Sequence, residues 1–353
     1  MPVPVPVGIP GRVQELDERA TPHPTARRPS SWWALTAISF AVLGFALLPI
    51  VPSTARLGRL SVPVLQTLWP VMLALGLLVM VIGVRRRHTV ACVLAACAAF
   101  AALVPINHWR PAGCADGETP TGNLSVLTAN AYVANADLQA LSTVVLDRDV
   151  DLLVVPEATN DFVAQFSETT GGRRLTHRTR VTRDDGFSGT AVLSRLPIEQ
   201  IGGATGGSAR HTFDQPAVRL IVAGLPVTVQ AVHPYPPVEE VRSWDASLRE
   251  LGRWQRASTD EHLVLAGDFN ASWAHPAFRD AVGGLHDAGP SWGPFDRPTW
   301  PVGGRLPSFV TIDHIMVRGF ESTDAAAIDV PGSDHRAVWS NLRLCHSNAK
   351  PAT

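Results

Sequence analysis

The sequence predicts a layered α/β domain preceded by three apolar helices. Three observations carry this reading. The first third holds long uncharged apolar runs, the remainder alternates strand-length apolar runs with amphipathic helical stretches, and charge changes sign between the two. Residues 1–110 contain 10 Arg and 3 acidic residues, a net +7; residues 111–353 contain 20 basic and 28 acidic residues, a net −8. Lys350 is the only lysine, a bias that fits a GC-rich genome and carries no mechanism.

The apolar runs lie at about 32–51, 65–84 and 90–106. A bilayer crossing needs roughly 17–25 apolar residues, so all three qualify, the last narrowly. A signal peptide would have one short apolar core, and helices buried in a soluble domain would be shorter, with a polar face. Arg27 and Arg28 precede the first run and Arg85, Arg86 and Arg87 separate the second from the third, against only Arg56 and Arg59 between the first two. The positive-inside rule then places the N-terminus and the Arg85–Arg87 loop in the cytoplasm. Everything after about His108 is expected outside the cell membrane. Residues 1–30 are polar and Pro-rich and read as a disordered cytoplasmic tail. Residues 108–122 read as a linker, 123–344 as the soluble domain and 345–353 as a tail.

Cys92 and Cys97 fall in the third run and read as small apolar residues. Cys114 and Cys345 flank the soluble domain. Outside the cytoplasm they can form a disulfide, though both can equally stay free.

In the soluble domain, apolar runs at 124–127, 152–155, 190–193, 227–232, 263–265 and 315–317 have strand length and composition. Helical spacing appears over 137–147 and 238–256, the latter opened by Glu239 and Glu240, which suit a helix N-terminus. Strands alternating with helices imply sheet packed inside helices.

Asn130, Glu157, His233, Asp268, Asn270, Asp313, Asp334 and His335 all stand at or beside the end of an apolar run. Each alone reads as a turn former, a cap or a packed histidine. Together they gather carboxylates, amides and imidazoles without a cysteine. That donor set suits a hard cation, Mg²⁺ or Mn²⁺, and the hydrolysis of a phosphate ester.

LTANAY (127–132), VVPEAT (154–159), GTAVLSRLPI (189–198), AVHPYP (231–236), LAGDFNAS (265–272), TIDHIMV (311–317) and SDHRAV (333–338) follow one another. In that order they resemble the endonuclease/exonuclease/phosphatase family, across roughly residues 123–343. The resemblance implies a four-layer α/β/β/α sandwich of the DNase I type. It implies metal ligation by Glu157 with Asn130 and Asp334, and a water positioned by Asp268. It implies phosphate contacts from Asn270, a His335 oriented by Asp313, and charge stabilisation by His233. Tyr132 stands where many nuclease members carry an acid, Pro234 follows His233, and His314 follows Asp313, which leaves the metal count open.

Nucleic acid is a poor substrate expectation, because its binding needs a basic stripe and this domain is acidic. Arg173, Arg174, Arg178, Arg180 and Arg183 form the one dense basic cluster, either a solvated loop or a clamp on an anion. Three spans followed by such a domain are similar to the membrane-anchored glycopeptide-resistance phosphatases of the VanJ type. That resemblance implies a lipid pyrophosphate substrate, undecaprenyl pyrophosphate, at the membrane surface. Trp292, Trp300 and Phe309 are candidates for a lipid-facing rim. The alternatives are a tethered phosphodiesterase acting on nucleic acid or phospholipid, and an anchored binding module without catalysis.

Overall fold

The computed structural model describes residues 30–52, 54–57, 60–204, 213–238, 240–290, 298–305 and 307–347. The N-terminal tail with Arg27 and Arg28, together with Arg59, Glu239, Trp292 and Lys350, lies outside the described residues.

The N-terminal region consists of α1 (Ser30–Ala46), a hairpin of β1 (Arg56–Leu57) and β2 (Leu60–Ser61), α2 (Val62–Gln66), α3 (Trp69–Arg85), α4 (Thr89–Ala102) and α5 (Val104–His108). Ser31–Ile50 and Thr89–His108 are each 20 residues, long and apolar enough to cross a bilayer. The middle helix does not match its expected bounds. The chain breaks at Thr67–Leu68 before Pro70, which sits in the first turn of α3, where its missing N–H costs nothing. What remains is 17 residues, about 26 Å of helix, at the lower limit for a crossing by itself.

The helices pack through small residues. Ala91, Ala95, Ala98 and Ala101 on α4 are buried against Leu35, Val42 and Ala46 of α1 and Val79 of α3. Gly83 lets α3 approach closely: a Cβ there would lie 2.9 Å from the Cys92 sulfur and 3.3 Å from its backbone nitrogen. The large apolar side chains point outward instead, with Trp33 63% and Phe100 74% exposed.

The remaining chain forms β3 (Glu118–Thr128), α6 (Leu138–Asp147), β4 (Leu152–Pro156), α7 (Asn160–Ser167), β5 (His177–Arg178), β6 (Thr190–Ser194), β7 (Glu199–Ile201), β8 (Ala217–Val222), β9 (Leu225–Val232), α8 (Val241–Ala257), β10 (Leu263–Asp268), α9 (Pro276–Ala281), β11 (His286–Asp287), β12 (Asp313–Arg318), β13 (Phe320–Asp329) and β14 (Arg336–Ser347). One sheet has the order β11-β12-β10-β9-β8-β7 and the other β13-β14-β3-β4-β6-β5. Both are mixed, with parallel pairs β9/β10 and β3/β4.

Two buried faces per sheet explain the continuous apolar runs. Val126, Val154, Val229, Val264 and Ile315 meet in the core between the sheets. The outer face of the second sheet packs on α6 and α7 through Leu141, Val145, Phe162 and Phe166. That of the first packs on α8 and α9 through Trp244, Leu248, Leu251 and Phe278. The layers are therefore helix, sheet, sheet, helix. The domain is larger than the expected 123–344: β3 begins at Glu118, inside the expected linker, and β14 runs to Ser347, inside the expected tail. Cys114 and Cys345 form a disulfide across 231 residues, which closes the domain's two ends on each other.

Candidate active site

The catalytic candidates come from both sheets, and register brings them to one rim. In the first sheet Asp268 and Asp313 are direct partners across antiparallel β10 and β12. Gly267 pairs with Val232 across parallel β10 and β9, so His233 leaves its strand beside Asp268. A Cβ at Gly267 would lie 2.0 Å from the Val232 carbonyl oxygen, so no other residue allows this approach. In the second sheet Thr128 pairs with both Val154 and Val338. Asn130, Glu157 and His335 are thereby displayed just past three neighbouring strand ends.

Glu157 has a left-handed backbone, φ 58°, as do Tyr132, Val133 and Ala134 in the facing loop. Such conformations cost about 1–3 kcal/mol each. Here they are held by bonds the Glu157 residue itself makes. Val133 N–H donates to Glu157 Oε2 at 2.9 Å and Ala134 N–H to the Glu157 carbonyl at 3.0 Å. The strain aims one carboxylate at the rim and fixes it there.

A continuous polar network links the two sheets. Asn130 Nδ2 donates to Glu157 Oε1 and to Asp268 Oδ2, each at 3.1 Å. Asn270 N–H donates to Asp268 Oδ1 at 2.7 Å, so both oxygens of Asp268 are anchored. His335 Nδ1 donates to Asp313 Oδ2 at 2.8 Å, which points Nε2 toward Asp268 and Asp334, each 3.8 Å away. Ser333 Oγ donates to the Asn130 carbonyl at 2.7 Å and accepts the His335 N–H at 3.0 Å, tying the two segments together.

All eight sequence candidates converge here, in two layers. Glu157, His233, Asp268, Asn270, Asp334 and His335 line a cavity of about 300 Å³. Asn130 and Asp313 lie behind it. The Asn130 amide faces the two carboxylates while its oxygen accepts the Tyr132 N–H at 2.8 Å. The Asn270 side chain donates to the Pro234 carbonyl at 3.0 Å. Trp300 and Phe309 also line the cavity.

Electrostatics separate the two histidines. Burial would lower His335, but the Asp313, Asp268 and Asp334 carboxylates overcome it and raise the group to about 10. Burial lowers His233 to about 3, and the neighbouring His335 charge adds to the effect. One imidazole is a cation that presents Nε2–H to the cavity and the other is neutral. Burial raises Asp268 to about 8, with Asp313 and Glu157 adding to the rise against the opposing His335 charge. Burial also raises Glu157 despite its bonds from Asn130 and Val133.

The residues fit a divalent cation. Donor atoms of Glu157, His233 and Asp268 lie within 4.8 Å of one another. Asp334 Oδ1, Asp313 Oδ1 and His233 Nδ1 are buried without a hydrogen-bond partner. Carboxylates pushed up by burial and mutual repulsion gain from a cation at the same place. A bound cation would supply charge neutralisation on a phosphate.

The arginine cluster does not serve this site. Arg173 pairs with Glu168 at 3.6 Å, Arg174 with Asp149, and Arg183 with Asp214 at 3.9 Å, while Arg178 donates to Ser167. These are local bonds at the edge of the second sheet. Residues the sequence did not reveal include Gln215, whose Oε1 accepts the His233 N–H at 3.1 Å. Trp300 Nε1 donates to Asp334 Oδ2 at 3.2 Å. Phe213 packs on the His233 ring at 4.6 Å. Val64 of α2 and Thr67, which caps it, line the cavity wall. Of these, only Trp300 stands out in the sequence, as a rim candidate, and its bond to Asp334 does not.

Residues 127–335 match the Endonuclease/Exonuclease/phosphatase family. The chain belongs to that family. Like its members, it is a metal-dependent hydrolase of phosphoester or phosphoanhydride bonds. A family protein from Bacteroides thetaiotaomicron is 16% identical with a TM-score of 0.53, covering 66% of this chain and 99% of its own. A truncated TDP2 from Caenorhabditis elegans is 15% identical with a TM-score of 0.51, covering 63% and 97%. D. rerio TDP2 complexed with a single-strand DNA product is 18% identical with a TM-score of 0.50, covering 62% and 98%. At such identities these likenesses concern the fold alone. No curated protein sequence matches.

Proposed function

We propose that this chain is a membrane-anchored phosphohydrolase, dependent on Mg²⁺ or Mn²⁺, whose substrate is a lipid pyrophosphate such as undecaprenyl pyrophosphate. The observation that carries the reading is the composition of the cavity wall. Val64 in α2 and Thr67 just after it lie between the first two apolar helices, yet they line one cavity with the catalytic residues. Phe187, Phe213, Val238, Trp300 and Phe309 complete an apolar lining above a polar floor. A hydrolytic site for a free, charged ester has no use for such a wall, whereas a phosphate carried on a hydrocarbon chain does.

The join between the two regions supports the same reading. Ser61 Oγ donates to the Pro237 carbonyl at 2.9 Å. His275 Nε2 meets the Pro63 carbonyl at 2.9 Å, and Arg279 donates to the Pro49 carbonyl at 2.5 Å. The catalytic domain is thus fastened to one end of the bundle, where α1 and α4 end and α3 begins. The Arg85–Arg87 turn lies between the far ends of α3 and α4. With that basic turn in the cytoplasm, the catalytic domain faces the outside. A disulfide and an acidic domain accord with that compartment and with a non-nucleic-acid substrate.

In this reading Glu157, Asn130 and Asp334 would hold the metal, which would supply charge neutralisation on the phosphate. Asp268 takes the proton of the attacking water, since its raised carboxyl sits near neutrality. The His335 cation, oriented by Asp313, and the Asn270 amide hold the phosphoryl oxygens, while neutral His233 stands beside the leaving group. The chain's own part is alignment and charge, which suits in-line displacement at phosphorus.

The test is a substrate panel. Detergent-solubilised protein with Mg²⁺ receives undecaprenyl pyrophosphate, plasmid DNA or sphingomyelin, and phosphate release, nicking and phosphocholine release are measured. The proposal expects phosphate from the lipid pyrophosphate. Nicked DNA or released phosphocholine without it would instead establish a tethered phosphodiesterase.

A further inference from the structure

A second cavity, of about 330 Å³, lies away from the catalytic rim, where α5 meets the loop after α9. Its lining includes His108, Arg110, Arg279 and His286, with Trp273 and the Gly283–Gly284 backbone. No carboxylate lines it, and among the described residues none of these four basic side chains is ion-paired with one. Elsewhere in the domain Arg174, Arg195, Arg249, Arg253 and Arg336 meet carboxylates, while Arg318 and Arg343, like Arg110 and Arg279 here, donate to backbone carbonyls.

The two guanidinium groups are held by carbonyl oxygens only. Arg110 donates through one nitrogen to the carbonyls of Asn107 and Trp109, at 2.6 and 2.8 Å. Its other donors have no protein acceptor among the described residues. Arg279 donates to the carbonyls of Trp273 and Pro49, at 2.6 and 2.5 Å. Burial depresses it to about 10, against the opposing charge of Asp280, so it remains cationic at neutral pH. Carbonyl dipoles orient such groups without neutralising them, and planar guanidinium forks suit the oxygens of a phosphate.

Position names the occupant. Pro49 closes the helical segment after α1, His108 ends α5, and exposed Leu103 lies one turn back. The cavity thus opens at the level where the apolar helices meet the catalytic domain, beside half-buried Trp109, while Trp273 in its wall is buried in the sandwich. That is the depth at which headgroups and interfacial tryptophans lie. We propose that this cavity binds the phosphodiester headgroup of an anionic phospholipid and so sets the catalytic domain's seat on the bilayer. The proposal rests on the membrane anchoring argued above and uses no catalytic residue.

Full-length protein is extracted from membranes in a non-ionic detergent and mixed with equal amounts of phosphatidylglycerol and phosphatidylcholine. Retained lipid is then counted by native mass spectrometry. The expected result is a preference of about fivefold or more for phosphatidylglycerol, the scale of one interfacial basic residue. Arg110→Gln/His286→Gln should reduce it to below about twofold, and Arg173→Gln/Arg178→Gln, far away, should leave it intact. Both double variants should keep wild-type melting temperatures, because the altered side chains are exposed. Equal retention of the two lipids, or a preference untouched by Arg110→Gln/His286→Gln, overturns the proposal. So does stabilisation by inorganic phosphate that needs Arg110 and His286 in the absence of any lipid preference, since it assigns the cavity to a soluble anion. Recovery of the protein in the aqueous fraction without detergent refutes the anchoring itself, and the proposal falls with it. A membrane-extracted protein without lipid preference refutes the headgroup site alone.

Discussion

The N-terminal bundle and the catalytic sandwich bury opposite kinds of side chain. In the sandwich, Val, Leu, Ile and Phe fill three cores and the charges stay outside, except at one rim. In the bundle, alanine and glycine fill the centre while Trp33, Phe40, Leu77 and Phe100 face outward. The first is what water selects; the second is the pattern expected of helices in apolar surroundings, in line with the proposed anchoring. The buried polar residues repeat the lesson in miniature. The sandwich gathers five ionisable groups at its rim, Glu157, Asp268, Asp313, His233 and His335, where function and not stability accounts for them.

The largest effect separates that rim from the rest. Asp268→Ala and His335→Ala should each lower turnover by about 10²–10⁴, with circular dichroism unchanged. Near-wild-type turnover in either would remove the site from the cavity. The next effect belongs to the sandwich alone. Cys345→Ser should cost about 2–5 kcal/mol in denaturant unfolding of the sandwich, because the lost loop is long, and leave the bundle's helicity intact. In the bundle the expectation inverts. Ala95→Leu should destabilise by about 1–3 kcal/mol through overpacking, while Phe100→Leu on the outer surface should change little in detergent. Equal effects at both positions would mean the outward face is not lipid-facing.

The smallest effect is the pH dependence. Asp268 is raised to about 8, so the folded protein keeps a proton that the unfolded chain loses, and stability falls as pH rises through about 4 to 8. His335, raised to about 10, stabilises fully below about 6.5 and loses that contribution toward 10. His233, lowered to about 3, acts the other way, and costs stability as pH falls below about 6.5. The metal-free protein should therefore melt at lower temperature at pH 8.5 than at pH 6.5. Added Mg²⁺ should raise the melting temperature more at the higher pH, where no proton competes for Asp268. An equal gain at both values would count against Asp268 lying beside the metal.

The rim was legible in the sequence because strands end in fixed places. Asn130, Glu157, His233 and Asp268 each follow a recognisable apolar run, and buried strands leave polar residues few other positions. Register is what the sequence withheld: nothing in it says that Asp268 faces Asp313 across two strands, or that Ser333 bridges Asn130 and His335. Gln215 stood outside any motif. The middle apolar helix starts later than its sequence run because the uncharged run carries on through Gln66 and Thr67 while the helical backbone is interrupted at Thr67 and Leu68. The sequence left the arginine cluster open between a solvated loop and an anion clamp, because proximity in sequence says nothing of Glu168, Asp149 and Asp214, which pair with Arg173, Arg174 and Arg183. Least legible was the contribution of Val64 and Thr67 to the cavity, which they line together with Glu157, ninety or more positions away.

That contribution is also the most direct test of the account. Val64→Asp places a charge in the apolar wall without touching a catalytic group. The measurement is kcat and KM for lipid pyrophosphate in mixed micelles beside those for a soluble phosphate ester. The account predicts a KM for the lipid raised at least about tenfold, the scale of one buried apolar side chain, with soluble-ester kinetics unchanged. Equal losses on both substrates, or none on either, would contradict it.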